Sequence, residues 1–109
     1  MFLRSVFFFL LFGASFAVKA QDAKKTIPDA VNALLQKHTC YTCHKINKKL
    51  IGPSWEEVAS KKYSAKQFAA LVAKPKPENW EGYPAMAPLP TVPKADLTKI
   101  QTWVNSLSN

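Results

Sequence analysis

Cys40-Tyr41-Thr42-Cys43-His44 is the stretch on which the reading of this chain turns. Two thiols one helical turn apart, followed at once by a histidine, form the C-x-x-C-H run through which c-type haem is attached. The spacing has a chemical reason. Each thiol can bond one haem vinyl group, and two thioether links fix the ring edge so that the next side chain, His44, arrives at the iron as proximal ligand. The other readings of these residues are a plain disulfide and a thioredoxin-like thiol pair with an incidental histidine. A thioredoxin site needs a βαβ setting, and no run in this sequence alternates convincingly as a strand.

A haem iron held by His44 wants a sixth ligand from elsewhere. Met86 is the only methionine beyond residue 1 and lies 42 residues after His44, in Tyr83-Pro84-Ala85-Met86-Ala87-Pro88. A stiff irregular segment of this kind can cover the second haem face and present a thioether; the competing reading of a lone methionine is a core filler. His38 is the rival ligand. It stands two residues before Cys40, too near to reach the opposite face easily, and otherwise reads as a surface or core-edge histidine.

Helical signals surround the motif. Upstream, Thr26 is placed to cap a helix with Pro28 in its first turn and Asp29 three residues on, and Val31, Leu34 and Leu35 carry its apolar stripe to Lys37 or His38. Downstream, Ser54 with Glu57 predicts a capping box opening a short helix through Trp55, Val58 and Ala59, with Lys61 and Lys62 suited to its C-terminal end. Ser64 with Gln67 predicts another, whose face of Phe68, Leu71 and Val72 ends at Lys74-Pro75. Residues 74–93 hold six of the eight prolines and Gly82, which excludes a helix, while Trp80, Tyr83, Met86 and Leu89 predict an ordered loop. Helical period returns from Lys94 to Leu107, with Leu97, Ile100, Trp103, Val104 and Leu107 on one face. The expected fold is all-α: three to four helices wrapped around one covalently bound haem, with a long proline-rich loop bearing Met86.

Length and charge agree with that reading. The chain has 109 residues, 48% hydrophobic and 20% charged, which limits it to one small domain and excludes a multidomain enzyme. Arg4, the apolar run Val6 to Val18 and the small-residue end at Ala20 predict a secretory signal over 1–20, cleaved after Ala20, leaving a domain over 21–109. Its apolar run is short for a membrane span, which needs about 20 residues. The remaining 89 residues make a marginal core unless a cofactor adds volume. They carry thirteen lysines, no arginine and seven acids, a net charge of +6. That balance favours acidic partners. An exported chain without arginine lacks the bidentate donor that nucleic-acid recognition favours, so nucleic acid is not expected as a partner.

In these features the chain resembles class I c-type cytochromes, specifically their short single-haem branch of the bacterial periplasm. The resemblance spans the exported chain and rests on the C-x-x-C-H run, on Ile51-Gly52-Pro53-Ser54, on Val58-Ala59 and Lys62-Tyr63, on Met86 among prolines, and on Trp103-Val104 in the last helix. It implies one haem c with axial ligands His44 and Met86, first and last helices that cross, and a Pro53 carbonyl that accepts the Nδ1 hydrogen of His44. Two departures limit the match. No polar side chain occurs among Ala87, Pro88, Leu89 and Pro90 to point at the methionine sulfur, and without arginine the haem propionates must find lysine, indole or backbone donors. Trp55 and Trp80 are the indole candidates, each with a core role as its alternative.

With both axial positions filled no substrate reaches the iron, so the expected function is periplasmic electron transfer, with a positive potential and no enzymatic activity of its own. The expected partners are redox proteins with acidic docking surfaces, a dehydrogenase or membrane complex on one side and an oxidase or reductase on the other. The chain is expected to be a monomer without stable membrane insertion. Tyr41, Thr42, Ile51, Ala85 and Ala87 should flank the haem edge, and Lys45, Lys48, Lys49, Lys74 and Lys76 should surround them. The alternatives are a haem-based sensor or ligand-binding protein with an open or displaceable sixth position, and a haem subunit fixed to one redox enzyme.

Overall fold

The computed structural model describes residues 26–108, together with Gly13. The expected signal over 1–20, Gly13 apart, and the first residues of the expected domain lie outside the described residues. Among the described residues there are four α-helices and no strand: α1 (Asp29–Lys37), α2 (Trp55–Ser60), α3 (Ala65–Ala73) and α4 (Lys94–Ser106), with 3-10 turns at Cys40–Thr42 and Pro77–Asn79.

Local chemistry sets these boundaries, with two corrections to the expected caps. α1 is entered through Pro28, whose fixed φ of −55° holds the chain extended before the first helical residue and whose carbonyl accepts the Asn32 N–H at 2.8 Å. Thr26 therefore stands too far upstream to cap, and its carbonyl instead accepts the Trp103 indole N–H at 3.4 Å. At α2 only half of the expected box forms. Ser54 Oγ accepts the Glu57 N–H at 3.1 Å, but the Glu57 carboxylate turns outward to Tyr83. At α3 the box is reciprocal: the Gln67 N–H reaches Ser64 Oγ at 3.1 Å, and the Ser64 N–H reaches Gln67 Oε1 at 2.9 Å. α3 stops at Ala73, just ahead of Lys74-Pro75.

α4 organises the rest. It packs against α1, α2 and α3 in turn and buries Leu97, Ile100, Trp103 and Val104, with Leu107 just beyond its end. Facing these are Val31 and Leu35 of α1, Trp55, Val58 and Ala59 of α2, and Phe68 of α3. Burial stabilises each large aliphatic side chain here by about 1.5–3 kcal/mol, the main favourable contribution in so small a core. Polar contacts fix the helix in register. His38 at the end of α1 lies 2.9 Å from Asp96 Oδ2, and the Gln101 and Asn105 amides both donate to the Tyr63 carbonyl, at 3.0 and 2.9 Å.

The long loop is irregular as expected except for the turn at Pro77–Asn79, where the ring of Pro77 presets a helical φ and the Trp80 N–H closes on the Pro77 carbonyl at 3.0 Å. Its far end is hung on α3 through the Leu89 N–H and the Val72 carbonyl, 2.9 Å apart.

Candidate haem site

The main cavity opens between the C-x-x-C-H turn and the proline-rich loop, with a volume of about 400 Å³. That lies within the range of about 300–1,000 Å³ typical of cofactor sites, and its lining is predominantly apolar, as such sites are. Cys40, Cys43, His44 and Met86 all line it, together with Phe68, Leu97 and Ile100. Residues 42 positions apart in sequence thus meet across one space. Both thiols are free, which sets aside the disulfide reading. Burial pushes the Cys40 thiol above its ordinary range.

His44 is buried and tightly held. Its Nδ1 lies 2.7 Å from the Pro53 carbonyl oxygen. A carbonyl can only accept, so Nδ1 carries the hydrogen and the lone pair remains on Nε2, the atom available to a metal. The Trp55 indole stacks on the imidazole at 4.5 Å between centroids, 28° from parallel. Burial drives the His44 pKa down against the opposing Pro53 bond, which favours the neutral, ligating form. The Gly52 N–H donates to the Cys43 carbonyl at 2.8 Å, and any side chain at 52 would strike the imidazole.

The remaining expected residues divide. Trp55 Nε1 is a buried donor with no partner among protein atoms, in a side chain that lines the cavity. An acceptor such as a propionate would satisfy it, and leaving it idle would cost roughly 1–3 kcal/mol. Trp80 also lines the cavity, but its side chain lies against Tyr63, whose phenol it draws partly back from the rise that burial causes. Thr42, Ile51, Ala85 and Ala87 are at the cavity as expected. Tyr41 is not, because its hydroxyl is turned to Asn32 Oδ1 on α1. His38 reaches the cavity rim, yet its Nε2 is committed to Asp96. The parts missed by sequence reasoning are Asp96 as that partner and Glu57 as the partner of Tyr83, 58 and 26 residues away along the chain. Of these, only the position of Glu57 on the outward side of α2 could have been read in advance.

A cytochrome c family model matches residues 28–108, the whole span from the entry of α1 past the end of α4. This chain belongs to the cytochrome c family. It is 36% identical over 78 residues to cytochrome c-551 of Allochromatium vinosum, an alignment that covers 68% of this chain and 82% of that protein. No solved structure matches. As a cytochrome c it carries covalently bound haem c with iron and is a haem electron-transfer protein. The cavity fits that group: an apolar slot, two free thiols on one side, a neutral imidazole with Nε2 free, and a buried indole N–H awaiting an acceptor. Among the described residues no helix is long and apolar enough to cross a membrane.

Proposed function

We propose that this cytochrome c is an electron shuttle of the bacterial periplasm, with Cys40 and Cys43 as the thioether anchors of the haem and His44 and Met86 as its axial ligands. One observation carries the reading: a single apolar cavity is lined by both cysteines, by His44 and by Met86. When bound, the haem supplies an iron that alternates between Fe(III) and Fe(II). The protein supplies the rest. The Pro53 carbonyl and Trp55 ring orient His44, and Met86 would supply the second protein ligand to the iron, which would leave it no open position for a substrate. Trp55 Nε1 is the proposed propionate donor, while Trp80 stands at the cavity wall. Phe68, Leu97 and Ile100 keep water out, so oxidation states change with little rearrangement of surroundings.

The surface supports exchange with acidic partners, as a dehydrogenase, oxidase or reductase would be at its docking face. Leu50 and Ile51 are exposed large apolar residues, Lys45, Lys48, Lys74 and Lys76 are exposed as well, and Ile51 and Lys76 line the cavity. Such a patch steers association at a rate that falls with salt. The signal-like residues 1–20 support export, and we take 21–109 as the exported monomeric domain.

The test is the oxidised absorption spectrum of the holoprotein, with Met86→Ala as control. A weak methionine-to-iron charge-transfer band in the far red that the variant lacks supports a closed iron and a carrier. Native protein without the band that readily binds carbon monoxide when reduced would overturn it in favour of a sensor. A stable complex with one enzyme on purification would instead point to a fixed subunit.

A further inference from the structure

Three residues before Met86, the loop is tied by a side chain to α2 and to the segment between His44 and Pro53. The Tyr83 hydroxyl donates to Glu57 Oε2 on α2 at 2.7 Å. Lys49, in the segment between His44 and Pro53, places its Nζ 4.4 Å from the centre of the Tyr83 ring and 3.4 Å from the Gly82 carbonyl oxygen. Trp80 meets Tyr83 edge-on at 6.2 Å, and Lys61 at the end of α2 stands 5.1 Å over the indole. Gly82 has a φ of +84°, a left-handed turn that glycine adopts without strain and that sends the chain back toward α2.

Glu57 and Lys61 sit on α2 and at its end, whose Trp55 stacks on His44, and Lys49 sits between His44 and Pro53; this is the His44 wall, and the residues these three hold lead directly into Met86. The other end of the same segment is fixed by the Leu89 N–H on the Val72 carbonyl at 2.9 Å. Between these attachments lies Pro84-Ala85-Met86-Ala87-Pro88, stiffened by a proline at each end and centred on the methionine. Releasing either end would free Met86 to move relative to His44. The Leu89 end is a backbone bond within the fold, while the Tyr83 end rests on an exposed side-chain contact, the easier one to open.

We propose that Tyr83 and Glu57 are positioning residues that latch the Met86 segment to the His44 wall, with Lys49 over the Tyr83 ring, so that the hold of Met86 on the sixth position depends on their bond. The proposal rests on Met86 being the ligand, as argued above. Its consequence is a population effect: an outside ligand competing with Met86 binds in proportion to the fraction of molecules whose segment has swung away.

The experiment is an imidazole titration of the ferric holoprotein, followed by absorbance, for the native protein, Tyr83→Phe, Glu57→Ala and the double variant. Leu35→Ala, a core change between α1 and α4, controls for general destabilisation. The latch requires each single variant to bind imidazole about two- to fivefold more tightly, the scale of an exposed polar contact. The double variant should gain no more than the stronger single one, since both remove the same bond. Leu35→Ala should keep native affinity. Native affinity in both single variants, with the far-red band intact, would overturn the latch while leaving Met86 as ligand. A native protein without a Met86-dependent band would overturn the ligand assignment and the latch with it.

Discussion

Gly52 and His44 approach so closely that no methyl group fits between them: a Cβ on residue 52 would lie 2.7 Å from His44 Cε1 and 3.0 Å from Nδ1. The neighbour that would have to yield is an imidazole locked by Pro53 and Trp55, and the Cys43 carbonyl stands 3.2 Å away on the same side. Gly52→Ala should therefore push His44 off its position, lowering stability by about 1–3 kcal/mol, the usual cost of overpacking. Thermal unfolding and the visible spectrum of the holoprotein check this. Native values in both would mean the 44–53 segment yields freely.

Trp55→Phe separates two accounts of the orphaned indole. If Nε1 bonds a propionate, the variant loses a charge-assisted bond and the holoprotein should melt at lower temperature, with a shifted midpoint potential. If Nε1 stays idle, phenylalanine removes an unsatisfied donor, so the holoprotein should lose no more stability than the apoprotein does to the smaller ring, with the potential unchanged. We expect the first outcome.

His38 and Asp96 join the end of α1 to the first turn of α4 from half-buried positions. Removing one partner, as in Asp96→Ala or His38→Ala, should cost roughly 1 kcal/mol of stability. The far-red band should survive, because neither residue is a proposed ligand. Loss of the band in His38→Ala would reopen the choice of sixth ligand.

All three tyrosines are held above the ordinary phenol range, Tyr41 and Tyr63 chiefly by burial and Tyr83 chiefly by its bond to Glu57. A phenol whose pKa is higher folded than unfolded stabilises the fold while protonated. That contribution is complete below the unfolded value of about 10 and is lost as pH rises through the folded values. Spectrophotometric titration should show every phenol ionising later than a free tyrosine, and Glu57→Gln should bring one of the three steps down. A full-sized step at the ordinary value in the native protein would contradict this.

Much of the fold could be read from local chemistry. The reciprocal Ser64 and Gln67 box, the stop at Lys74-Pro75 and the apolar face of α4, continued by Leu107, are decided within a few residues, and there sequence and structure agree. The caps that differed were decided elsewhere. Thr26 lost its capping role to the rigid Pro28, and Glu57 was drawn from Ser54 by a tyrosine 26 residues on. The gathering of the motif and Met86 on one cavity was foreshadowed by the C-x-x-C-H run and by the one methionine of the stiff proline-rich loop, although a core filler was the competing reading of that methionine. The commitment of His38 to Asp96, the turning of Tyr41 to Asn32 and the attachment of Tyr83 were not legible. Each depends on which helix faces meet, and no local pattern encodes that.

The grip of α4 on the other three helices also sets an order of events. The three earlier helices all pack on α4, and the Tyr63 carbonyl between α2 and α3 waits for Gln101 and Asn105 to arrive. A chain delivered from its N-terminus would present Cys40, Cys43 and His44 long before α4 could close over them. The slot is thus open while its chemistry is first exposed, and shuts behind whatever has been attached.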